Sequence, residues 1–149
     1  MTKTKLRAAA LGGTADDVEA SFYEALQRGD IERLMSVWAD DEDIICVHPG
    51  GPRLVGAAAI RAAFEAIFGN GVVHAQPEKI RRLQTHDCAV HSVLEHIRLM
   101  TPDGPQSAWV VATNVYLKTA QGWRLASHHA SPGSPREVQE VVEAASVLH

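Results

Sequence analysis

The stretch QSAWVVATNVYLKTAQGWRLASHHA, residues 106–130, decides the fold. One parity of its first half reads Ser107, Trp109, Val111, Thr113, Val115, Leu117, and the other reads Ala108, Val110, Ala112, Asn114, Tyr116. β-Branched and aromatic residues populate both parities, which suits a pleated strand. Gln121-Gly122 then marks a turn, and Trp123 to Ala130 reads as the returning arm of a hairpin. A strand apolar on both sides has to be covered on both sides. Helices of the same chain cover one face and a second copy of the chain covers the other. A homodimer packed sheet to sheet is therefore expected, with Trp109 in its interface.

Two more strand-like runs precede this hairpin, near Val72 to Leu83 and Ala89 to Met100, bounded by His86-Asp87 and Pro102-Asp103-Gly104. Four long strands in succession imply an antiparallel meander, and the first half of the chain supplies the helices that pack on it. Thr14 caps a helix whose first turn holds Asp16 and Asp17 and whose Val18, Phe22, Ala25 and Leu26 share a face, and Arg28 and Gly29 close it. Asp30 recaps the chain for Ile31, Leu34, Met35 and Trp38. The run Ile44 to Val47 reads as a short strand ending at His48-Pro49-Gly50-Gly51. Gly56 opens a third helix carrying Ile60, Phe64, Ile67 and Phe68, which ends near Gly69-Asn70-Gly71. Ser134 and Glu137 around Pro135 form a capping box for a closing helix. The expected organisation is a flexible tail over 1–13, one domain over 14–133, and a C-terminal helix over 134–149.

At 149 residues and 46% hydrophobic, the chain suits a single domain with a sizeable core. Fourteen basic residues against 18 acidic ones give a net charge of -4, with no Lys/Arg stripe, so nucleic acid is not an expected partner. No run is long and apolar enough for a membrane span, and the first residues are too weakly hydrophobic for a signal peptide. Cys46 and Cys88 sit in apolar strand-like runs and read as reduced thiols of a cytoplasmic protein. No nucleophile elbow, phosphate-cradling glycine loop or redox cysteine pair is present. That sets aside hydrolase, kinase and dehydrogenase readings, and no cofactor is expected.

Gly29-Asp30-Ile31-Glu32, Val37-Trp38-Ala39-Asp40-Asp41, Ile44 to Pro49, Val55-Gly56 and Ile60 to Phe64 together resemble the nuclear transport factor 2-like superfamily, and within it the SnoaL-like and ketosteroid isomerase-like proteins. Gly122-Trp123-Arg124-Leu125 through His129-Ala130-Ser131 is also similar to the last strand of the calmodulin-dependent kinase association domain. The resemblance covers about residues 15–131. It implies a cone-shaped α+β fold, with N-terminal helices packed on a curved antiparallel meander, in a small dimer. This fold hosts isomerases, dehydratases, cyclases, transport adaptors and assembly domains, so it does not choose among them.

The resemblance also implies a pocket and the residues in it. Ketosteroid isomerase-like members carry their general base just before a proline at the end of the first strand, which here is His48 before Pro49. Their first-helix tyrosine falls on Phe22, and their third-strand carboxylic acid falls on Asn114. His48 is thus the candidate acid/base and Asn114 the candidate oxyanion donor. In the second long strand His91, Val93 and Glu95 share a face opposite Ser92, Leu94 and His96. Turned inward, Glu95 is a proton-transfer carboxyl near imidazoles, and turned outward it is a solvated charge; the alternation leaves both open. His128 and His129 occupy opposite faces of the last strand. Hairpin spacing turns His128 inward, the kinase-domain likeness gives His129 a structural role, and a bulge would reverse the choice.

Catalytic candidates are accordingly His48, Asn114 and His128. Candidates for contact with a small apolar ligand are Phe22, Trp38, Phe64, His91, Glu95 and Tyr116, with Trp38 and Phe64 reading first as core aromatics. Eight histidines raise a metal set of His48, His91 and His128 with Glu95, but no local ligand motif supports it and no metal is assigned. Two function classes follow. One is a cofactor-independent isomerase, cyclase or dehydratase-type enzyme using His48 on an apolar carbonyl compound, and the other is a non-catalytic dimeric ligand-binding or assembly domain.

Overall fold

The structure, a computed structural model, describes residues 13–134 and 140–143. Helix α1 spans Ala15–Arg28, and the Thr14 hydroxyl accepts from the Asp17 N–H at 3.1 Å to cap it. Gly29 ends α1 in the left-handed region at φ 65, where an added Cβ would also meet Val72 Cγ1 at 3.0 Å. Asp30 caps α2, Ile31–Ser36. Then follow β1 (Ile45–Val47), β2 (Arg53–Val55), α3 (Ala57–Phe68), β3 (Ala75–Gln84), β4 (Cys88–Thr101), β5 (Gly104–Thr119) and β6 (Gly122–Gly133).

The strands form one six-stranded sheet in the order β2-β1-β6-β5-β4-β3. The expected meander is β3 to β6. The sheet as a whole is mixed, because β1 lies parallel to β6 with Cys46 opposite His128, and β2 pairs antiparallel with β1. Strand β2 was not foreseen, since three residues between glycine turns carry no readable period.

One irregularity matters for the site. Val115 faces Ser127, yet Tyr116 faces Leu125, so Ala126 is an extra residue in β6. The bulge lets Leu125 and His128, three positions apart, both point toward the helices, so it turns His128 inward where a bulge was expected to favour His129. His128 is buried and His129 exposed.

Helix α1 packs against β3 and β6, and its Val18, Phe22, Ala25 and Leu26 join Leu34, Phe64 and Leu125 in the main core. The even positions of β5 from Val110 to Tyr116 are buried under the helices. On its other face Trp109, Val111 and Val115 stay half-buried, and Trp109 stacks on His96 at 4.3 Å. Cys46 is buried, Cys88 is half-buried, and both are free. Among the described residues no helix is long and apolar enough to cross a membrane. The closing helix expected after Ser134 falls mainly outside the described residues.

Candidate active site

Seven polar side chains meet in the core. Glu19 and Tyr23 come from successive turns of α1, His91 and Glu95 from the inner face of β4, Asn114 and Tyr116 from β5, and His128 from β6 beyond the bulge. Glu19 Oε2 accepts three hydrogen bonds: from Tyr116 at 2.7 Å, His91 Nδ1 at 2.9 Å and Asn114 Nδ2 at 3.3 Å. Asn114 Nδ2 also donates to the Tyr23 oxygen at 3.0 Å, and Tyr23 donates to Glu95 Oε2 at 2.7 Å. Since the Asn114 nitrogen faces two acceptors, its Oδ1 is the acceptor for His128 Nδ1 at 2.5 Å. That fixes the neutral tautomer of His128: Nδ1 carries the proton, and Nε2, 4.0 Å from Glu95 Oε2, is left bare.

Burial sets the protonation states. It pushes Glu95 up to about 7, aided by the Glu19 charge and opposed by the Tyr23 hydrogen bond. It pulls His128 down to about 3, with His48 and His129 adding to the effect, and it lowers His48 as well. Tyr23 and Tyr116 are raised well above the ordinary phenol range, first by burial, so both remain donors. Cys46 Sγ lies 3.7 Å from His48 Nε2, but burial pushes its thiol up to about 12 and it stays protonated.

At the Glu95 end the network opens on a cavity of about 210 Å³. His48, Glu95 and His128 line it together with apolar groups that include Phe64, Ile67 and Val110. The edge of Phe64 meets the His48 ring at 4.8 Å. A carboxyl titrating near neutrality and two imidazoles kept uncharged therefore face one small, mostly apolar space. Such a set can remove and return a proton without placing a full charge in the cavity.

The model of the SnoaL-like domain matches residues 16–135. The chain belongs to the SnoaL-like family. Among solved structures, a Thiobacillus denitrificans protein described as a calcium/calmodulin-dependent protein kinase type II association domain is 32% identical, with 83% of this chain and 98% of that one covered at a TM-score of 0.76. A Streptomyces avermitilis protein described as a dehydratase of the NTF2-like family is 35% identical over 78% of this chain and 91% of its own, TM-score 0.70. The S. rosetta CaMKII hub, at 21% identity and TM-score 0.63, covers 78% of this chain and 92% of its own and shares the fold. No curated protein matches the chain.

Within this SnoaL-like domain the residues expected from sequence separate into groups. His48, Phe64, Glu95 and His128 line the cavity. Asn114 does not line it, because its amide is spent on Glu19, Tyr23 and His128; it positions His128 and is not placed to meet an oxyanion. Phe22 packs against His128 at 5.1 Å as a wall behind the site. The His91 and Tyr116 rings meet at a tilt of 57°, centroids 4.9 Å apart, at the Glu19 end, away from the cavity. Trp38 lines a different cavity altogether. The weighed metal set does not assemble, since His91 is turned to Glu19; among the described residues Asp16, Glu19 and His91 are a trio within ligating reach of one another.

Two site residues escaped the sequence reading. The tyrosine missing at Phe22 is its neighbour Tyr23, one position further round α1, whose hydroxyl reaches both Glu95 and Asn114. Glu19 sits one turn before it. The available signal was that His91, Glu95 and Asn114 on inner strand faces need partners, and that α1 offers polar groups at positions 19 and 23 beside its apolar stripe.

Proposed function

We propose that this SnoaL-like domain binds a small, uncharged carbonyl compound and moves a proton on it, as a cofactor-independent isomerase, cyclase or dehydratase-type enzyme. The observation that carries this reading is the convergence of His48, Glu95 and His128 on one apolar cavity, with Glu95 held at about 7. His48, kept neutral by burial, is the base that takes a proton from the carbon next to the carbonyl. The C–H electron pair moves into the carbon framework as the carbonyl becomes an enolate. Protonated Glu95 donates to that oxygen, the part played elsewhere by a neutral carboxylic acid in an apolar site. His48 then returns the proton at another carbon, so no redox partner is needed. His128 is held by Asn114 with its bare Nε2 toward Glu95. A cavity of about 210 Å³ suits a single ring or a short chain.

Turnover of 3-cyclohexen-1-one to its conjugated isomer, followed by absorbance, tests the reading. His48→Gln and Glu95→Gln are each expected to lower kcat by about 100-fold or more. The pH profile should fall on the alkaline side as Glu95 ionises near 7 and on the acid side as His48 protonates below its ordinary range. A His48→Gln protein with an unchanged rate would sink the mechanism. Silence of the wild type across such ketones would favour the second reading, a non-catalytic assembly domain, which draws on a relative described as an association domain.

The same relative and the half-buried face of Trp109, Val111 and Val115 support a homodimer formed through the outer sheet. Light scattering should then return twice the 16.1 kDa chain mass, and a monomer at micromolar concentration would refute it.

A further inference from the structure

A second cavity, of about 510 Å³, opens between α2, α3 and the β5–β6 turn and shares no lining residue with the His48 site. Its most unusual wall is Arg124. That residue is only 5% exposed, and its one hydrogen bond runs from a terminal nitrogen to the Trp123 carbonyl at 2.7 Å. A guanidinium has five N–H donors, and arginines this buried are normally paired with a carboxylate. Arg124 has no such partner among the described residues. Of the acidic groups on the same wall, Glu32 is already engaged by Arg61, and Asp40 is exposed and forms no ion pair with Arg124. Trp38 adds a second unmet demand: it is 5% exposed, lines the same cavity, and its indole N–H has no acceptor.

The Arg124 side chain lines this volume with one hydrogen bond made and no carboxylate beside it, so an acceptor that brings negative charge is the natural complement of its unused donors. The rest of the wall limits what carries that charge. Met35, Ala57 and Ala58 offer apolar surface, and the volume falls in the range of small-molecule sites. We propose that this cavity binds a small carboxylate, its oxygens on the Arg124 guanidinium and its apolar body against Trp38, Met35 and Ala57. A planar carboxylate matches the guanidinium fork better than a spherical anion does.

The test compares benzoate with benzamide, which share a shape and differ in charge, by titrating each into the wild-type protein and following the Trp38 indole N–H signal by NMR. Benzoate is expected to move that signal saturably and to bind at least about tenfold more tightly than benzamide. Arg124→Met should abolish the preference and Arg124→Lys should retain part of it, whereas His48→Gln should leave it unchanged. The wild-type pair of titrations is decisive even where the Met variant fails to fold. Equal binding of the two probes, no saturable shift, or a benzoate response lost in His48→Gln but kept in Arg124→Met would overturn the proposal. Binding of a peptide ending in a free carboxylate with none of benzoate would overturn it too, by assigning the groove to a protein tail.

Discussion

Glu19 and Glu95 lie in the same buried network, at 3% and 5% exposure, and are treated in opposite ways. Glu19 gathers three donors on a single oxygen, from α1's neighbours in β4 and β5. Glu95 receives one, from Tyr23, and borders the cavity. Burial raises Glu95, its single donor offsets only part of that, and it holds its proton to about 7. Residue type and depth are nearly equal at the two positions. The number of donors therefore separates a carboxylate that fastens helix to sheet from one available for proton transfer.

The sharpest way to break this contrast is to remove each carboxylate in turn. Glu19→Ala strands His91 Nδ1, the Tyr116 hydroxyl and an Asn114 N–H in the core, and a loss of roughly 3–5 kcal/mol in urea denaturation is expected. Glu95→Gln keeps the shape and an acceptor oxygen for Tyr23, so below pH 4.5, where the wild-type carboxyl is protonated in both states, its change should stay within about 1 kcal/mol. Equal losses for the two variants would erase the distinction.

The same contrast marks what could be read in the chain. Strand alternation grouped His91 with Glu95 on one face of β4 without saying which face was inner, because a period of two survives without tertiary information but the choice of face does not. Asn114 came from the likeness to ketosteroid isomerase-like proteins. His48 was legible through the resemblance to ketosteroid isomerase-like proteins, whose base also stands before a proline at a strand end. Glu19 and Tyr23 were not, since a glutamate and a tyrosine beside an apolar helical stripe look the same whether solvent or a sheet faces them. The alternation also fixed which histidines share a strand but not which reach the cavity: one extra residue, Ala126, decides for His128. Trp38 and Arg124 belong to sequence-distant elements that only folding brings to one cavity. The parallel pairing of β1 with β6 is likewise a long-range contact with no local signature.

A smaller effect tests the Glu95 side of the comparison against its neighbour His128, because the two couple folding to protons with opposite sign. Glu95 is raised from 4.5 to about 7, so its contribution to stability is complete below 4.5 and is lost as pH rises through 7. His128 is lowered from 6.5 to about 3, so its contribution is complete above 6.5 and is lost as pH falls toward 3. Between 4.5 and 6.5 the two slopes oppose each other, each at about 1.4 kcal/mol per pH unit. Deleting either group unmasks the other, and every remaining titration cancels when a variant is compared with the wild type. Relative to the wild type, Glu95→Gln should gain stability as pH rises across this window, and His128→Gln should gain it as pH falls. Urea midpoints at four or five pH values measure both slopes. Difference curves that stay flat for both variants would mean that neither group is perturbed, and the separation between Glu19 as a fastening and Glu95 as a proton carrier would lose its physical basis.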